Sequence, residues 1–90
     1  MAKQCRKWQL TINNPIDHGL SHKDIFDKFS EIKKLNYWCL CDEIGENGTY
    51  HTHIFIYRVN PVSFDYIKKL FPVAHIEAAK GTIQENRDYI

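Results

Sequence analysis

One segment of this chain alternates apolar and polar residues with a period of two, and that pattern narrows what it can fold into. In Lys7–Asn13 (KWQLTIN), Trp8, Leu10 and Ile12 fall on one parity and Gln9, Thr11 and Asn13 on the other. Asn36–Glu43, rich in aromatic residues, and Tyr50–Arg58 read as two further strands, whose faces parity assigns. Their even positions include Trp38, Leu40, Ile54 and Ile56; their odd positions are Tyr37, Cys39, Cys41, Glu43, His51, His53, Phe55 and Tyr57. Successive side chains of a strand point to opposite faces, so these segments read as strands of a sheet with one buried face. Gly45 and Gly48 mark a hairpin turn between the second and third.

The remaining segments supply helices and a fourth strand. Asn14-Pro15 ends the first strand. Ser21 and Asp24 form a capping-box variant, and Ile25, Phe29 and Ile32 follow at helical spacing, which predicts a helix from Ser21 to about Leu35. Asn60-Pro61 is expected to break the third strand, and Ser63 to cap a short helix over Phe64–Leu70. Ala74–Ala78 reads as a strand, Lys80-Gly81-Thr82 as a turn, and Thr82 as the cap of a last helix through Tyr89. The order β, α, β, β, α, β, α predicts an α+β fold of the split βαβ plan. This is a ferredoxin-like or RNA-recognition-like antiparallel central sheet, with helices mainly on one face and the other face open to a ligand.

Ninety residues suffice for one domain with a modest core. No apolar run approaches the roughly 20 residues of a membrane span, and no apolar core follows the polar start, so neither a membrane partner nor secretion is expected. Three cysteines without a framework spacing point to reduced thiols and an intracellular protein. The formal charge is only +1, so global charge does not announce a nucleic-acid binder. Its distribution is more informative. Lys3, Arg6 and Lys7 precede any acid, whereas Asp42, Glu43 and Glu46 gather without an intervening base, as a solvated loop or a cation site would.

Parity brings chemistry together on the open face. If Glu43 pairs across the hairpin with His51, then Cys41 pairs with His53, and directly paired side chains lie about 5 Å apart. One carboxylate and two imidazoles suit a divalent ion with open positions, Mg²⁺ or Mn²⁺. Two other readings of the same residues stand beside it. The histidines can be ordinary solvent-exposed strand residues, or Cys39, Cys41, His51 and His53 can form a structural zinc site, although at unusually tight spacing.

Three blocks in series carry a family resemblance over nearly the whole chain. Leu10-Thr11-Ile12-Asn13-Asn14-Pro15 resembles the first motif of circovirus and nanovirus replication initiators. His51-Thr52-His53 resembles their HUH signature, with Thr52 where the middle residue is usually apolar. The stretch His75–Thr82, with Gln84, Asn86 and Tyr89, resembles the approach to their third motif, Y-x-x-K. The resemblance implies an HUH endonuclease that nicks and rejoins single-stranded DNA to start rolling-circle replication. It implies Tyr89 as nucleophile, and His51, His53 and Glu43 as ligands of Mg²⁺ or Mn²⁺. Glu85, one helical turn before Tyr89, is a possible organiser of the metal or a water. Thr11, Asn13, Arg6, Lys7, Lys80 and Gly81 would belong to the surface for single-stranded origin DNA with its stem–loop. The motif lysine would fall two residues past Ile90, and the family's proteins continue into a helicase domain. Residues 1–90 therefore read as a single nicking domain excised from a longer protein, with self-association possible for the full-length form. The expected compartment is the host nucleus for a eukaryotic virus or satellite, and the cytoplasm for a bacterial plasmid or phage. The alternative is a non-catalytic RNA-recognition-like binding module, which explains the open face but leaves Glu43, His51, His53 and Tyr89 as coincidences.

Overall fold

The computed structural model describes residues 4–45, 48–79, 81, 84 and 85. Lys80 and Tyr89, both expected site residues, lie outside them, as does most of the expected last helix. Four strands form one sheet: β1 (Gln4–Asn13), β2 (Tyr37–Ile44), β3 (Tyr50–Ser63) and β4 (His75–Ala78). Their spatial order is β2-β3-β1-β4 and every neighbouring pair is antiparallel. Helices α1 (His22–Ser30) and α2 (Phe64–Leu70) join β1 to β2 and β3 to β4, which is the split βαβ plan read from the sequence.

The even-parity residues form the core. Trp8, Leu10 and Ile12 of β1 and Ile54 and Ile56 of β3 are almost fully buried, packed with Ile25 and Phe29 of α1 and Ile67 of α2. Trp8 satisfies its indole N–H by donating to the Val62 carbonyl at 3.1 Å. Trp38 departs from this pattern, because β2 is an edge strand. It is 40% exposed and stacks at 4.8 Å on Phe29 and 5.0 Å on Phe26, capping the core rather than entering it.

Besides a β1 that starts at Gln4 instead of Lys7 and shifts of one residue in β2 and β4, two element ends differ from the sequence reading. Helix α1 ends at Ser30 instead of near Leu35. Beyond it, Ile32 N–H reaches only the Phe29 carbonyl, and Lys34 takes a left-handed backbone (φ 59°) that returns the chain toward β2. Ile32 is still buried, so a turn delivers the residue that helical spacing assigned to a longer helix.

The second difference is that Asn60-Pro61 does not stop β3. The strand continues to Ser63 through a large bulge: Lys7 pairs with Tyr57, but Cys5 pairs with Val62. Residues displaced from the ladder need no partner N–H, so proline is tolerated there. The bulge also resets the parity of β1. Cys5 packs against the core, whereas Lys7, two residues on, reaches the carbonyl of Gly81 after β4.

Candidate metal and nucleic-acid site

The face away from the helices carries its side chains in rows across the strands. Glu43, His51 and Asn13 make the row at the hairpin end. Cys41, His53, Thr11 and His75 make the next, and Cys39, Phe55, Gln9 and Glu77 the third. The register is the one expected, with Glu43 opposite His51 and Cys41 opposite His53. Not every residue of this face is accessible. Phe55 is fully buried, with Tyr37 6.1 Å away.

The polar groups of the first two rows touch. His53 Nε2 lies 3.5 Å from Glu43 Oε2, close to the roughly 3 Å that separates adjacent ligands bound at 2.1 Å around one ion. His53 Nδ1 faces Thr11 Oγ1 at 3.4 Å, and His51 Nδ1 is 2.5 Å from Asn13 Oδ1. The His51 and His53 rings are 6.1 Å apart. Gly45, at the start of the hairpin turn, lies over His51; a Cβ there would stand 3.0 Å from His51 Nε2. The absent side chain thus leaves space at that nitrogen. Glu43 and His53 are already within reach of one ion. Among the described residues, no three His, Cys, Asp or Glu side chains converge closely enough to hold an ion as they stand. The carboxylate–imidazole donor set fits a hard or borderline divalent cation, and a third bond requires the His51 ring to swing toward its neighbour.

Lys7 and Gly81 meet at the other end of β1. Six residues separate Lys7 from Asn13, about 20 Å of strand. Arg6 is exposed beside the bulge, and Glu85 lies against Gly81, whose φ of 81° favours a residue without a Cβ.

A second polar cluster, on the opposite face of the same hairpin, was not foreseen. Asp42 points away from Glu43, so the acidic run divides between the two faces. Asp42 Oδ1 accepts from the fully buried Thr52 hydroxyl at 2.8 Å, and its Oδ2 is 2.6 Å from His22 Nε2 at the start of α1. Burial alone would raise the Asp42 pKa, but hydrogen bonds from Tyr50 and Thr52 and the nearby His22 hold it below its usual value. Tyr50 is pushed up by the same carboxylate, which makes it a poor nucleophile. The register contained a signal for this cluster: Asp42 and Thr52 are directly paired on the core-facing parity, where two polar residues need each other. Tyr66 is likewise committed, donating to the Glu31 carbonyl at 3.0 Å.

An antiparallel sheet with helices on one face and imidazoles, a carboxylate and amide or hydroxyl groups on the other defines the class: an α+β domain of the split βαβ plan with polar groups gathered on its helix-free face. Residues 5–90 match the model of the family described as "Putative viral replication protein". The chain is 34% identical over 85 residues to the replication-associated protein of beak and feather disease virus, covering 94% of this chain and 28% of the relative. It is 30% identical over 92 residues to that of pigeon circovirus, covering 93% and 25%. It is 32% identical over 89 residues to the master replication protein of subterranean clover stunt virus, covering 99% and 28%. This chain belongs to that viral replication protein family, and it spans little more than a quarter of the length of these relatives.

Proposed function

We propose that the domain acts in viral DNA replication as a metal-dependent nickase and strand-joining enzyme for single-stranded origin DNA. The observation that carries the reading is the Glu43–His53 contact, with His51 beside it on the same open face. Glu43, His51 and His53 would hold Mg²⁺ or Mn²⁺. When bound, the ion would polarise the scissile phosphate and align it for in-line attack. The chain's own part begins with Tyr89. A phenol with a pKa near 10 is a weak nucleophile at neutral pH, so a fixed geometry must compensate. Tyr89 Oη gives up its proton to water and bonds to phosphorus; the bond from phosphorus to the 3′ oxygen breaks, and that oxygen takes up a proton from water to leave as a free 3′-hydroxyl. The 5′-phosphotyrosine keeps the energy of the phosphodiester, so the reverse attack by a 3′-hydroxyl rejoins strands.

Single strands bind through backbone charge and stacking. Arg6, Lys7 and Gly81 would receive the backbone about 20 Å along β1 from the metal ligands, and Lys80 would add its charge to that surface. Mixing the protein with stem–loop oligonucleotides and Mn²⁺, followed by intact mass measurement, tests the reading. An oligonucleotide-sized gain in mass that disappears with EDTA and in Tyr89→Phe is expected. Oligonucleotide binding that survives His53→Ala, with no adduct under any metal condition, would instead identify a binding module without catalysis.

A further inference from the structure

The first and third strands share a spacing as well as a register. Thr11 and Asn13 are two residues apart on β1, as are His51 and His53 on β3, and the antiparallel pairing sets Asn13 against His51 and Thr11 against His53. In each pair the contact is made by the same ring atom. Asn13 Oδ1 lies 2.5 Å from His51 Nδ1, and Thr11 Oγ1 lies 3.4 Å from His53 Nδ1. The two remaining nitrogens differ: His53 Nε2 is 3.5 Å from Glu43, whereas His51 Nε2 stands in the space left by Gly45, from which its ring must turn to share an ion with them.

From this matched pairing we propose that Asn13 and Thr11 are positioning residues for the two histidines, Asn13 selecting the ring tautomer of His51 and Thr11 orienting the ring of His53. The inference rests on the reading of Glu43, His51 and His53 as metal ligands. A carbonyl oxygen cannot donate, so the contact with Asn13 Oδ1 requires His51 to carry its proton on Nδ1. Nε2 is then a bare lone pair. A free neutral imidazole prefers the opposite arrangement, with the proton on Nε2, and would have to shift that proton before binding an ion there. Thr11 orients the His53 ring at a longer distance, but a hydroxyl both donates and accepts and so selects no tautomer by itself. Partners of this kind both orient a ligating imidazole and raise its basicity, and their loss typically costs 10- to 100-fold in metal affinity. On this account T-x-N in the first motif and H-x-H in the second form one unit across two strands, and Asn13 is a support of the ligand set before it is a contact for DNA.

The test has a metal-free arm and a metal arm. Side-chain ¹⁵N chemical shifts, recorded at alkaline pH and without metal, report the tautomer directly. The wild type is expected to show His51 protonated on Nδ1. Asn13→Ala should return it toward the Nε2-protonated form, and Asn13→Asp, which keeps an acceptor oxygen, should preserve the wild-type signature. In the metal arm, Mn²⁺ affinity read by electron paramagnetic resonance should fall roughly tenfold in Asn13→Ala, the low end of that range, and be largely retained in Asn13→Asp. Thr11→Val should weaken affinity less than Asn13→Ala, with Thr11→Ser close to wild type. Ile67→Val, a core change away from the site, controls for general loss of stability and should leave both readouts unmoved. An Nε2-protonated His51 in the wild type overturns the inference, as does a tautomer indifferent to Asn13→Ala. A wild type that shows the Nδ1 tautomer but takes up no Mn²⁺ would instead overturn the metal reading and leave the tautomer selection standing.

Discussion

Asp42 and Glu43 are neighbours in sequence with opposite tasks, because alternation sends them to opposite faces of the hairpin. Glu43 is largely exposed beside His53, whereas Asp42 collects Thr52, Tyr50 and His22. Its pKa is lowered in the fold, so its charge stabilises the protein above its usual value of about 3.8. That contribution disappears as pH falls through the lower folded value. Asp42→Asn is therefore expected to be less stable than wild type in urea at pH 7, with the gap narrowing at pH 3. An equal gap at both pH values would mean that the carboxylate's charge is not what the cluster uses. Phe55 makes a second prediction at this scale. Alternation assigned it to the open face, where an aromatic looks available for stacking, yet it is fully buried. Parity gives the face of a residue but not what covers that face. Phe55→Ala should cost about 3–5 kcal/mol in denaturant unfolding, as for a buried aromatic; a stacking residue would cost little.

At the scale of elements, local rules were legible where the chain decides locally. Ser21 accepts from the Asp24 N–H while the Asp24 carboxylate accepts from the Ser21 N–H at 2.9 Å, so the capping box forms as read from the sequence. The bonds from Ser21 hold the Asp24 pKa below its usual value. Ser21→Ala should destabilise the domain by about 1 kcal/mol, measured at neutral pH where Asp24 is charged. What local rules did not give were the ends of α1 and β3. Ile32 and Leu35 keep helical spacing, but a left-handed Lys34 ends the run, and nothing in a lysine's chemistry announces that conformation. Pro61 reads as a strand breaker, yet β1 tolerates it across a bulge, which depends on a partner strand more than fifty residues away. The hairpin register, by contrast, was legible because one face must be apolar, and a slip of one residue would turn every side chain over.

For the molecule as a whole, three histidine–carboxylate contacts stand on the described surface: His53 with Glu43, His22 with Asp42, and His75 with Glu77. They are not equivalent. Asp42 is already saturated by hydroxyl donors, and His75 with Glu77 occupies an edge strand where both side chains are about two-thirds exposed. Only the Glu43 pair has a second imidazole on the neighbouring position of its own face. A ligand that binds the folded but not the unfolded chain stabilises it by mass action, about 2.7 kcal/mol at 100 times its dissociation constant. For a domain of this size each kcal/mol moves the melting temperature by about 4–8 °C. Saturating Mn²⁺ should therefore raise the melting temperature by roughly 10–20 °C, and EDTA should reverse the rise. His53→Ala should remove it, while His22→Ala and His75→Ala should each melt at their own lower or equal temperature yet keep the full increment. An increment that survives His53→Ala and vanishes in one of the other two would place the ion on the reverse face or on the β4 edge, and the open-face site would lose its claim to the chemistry.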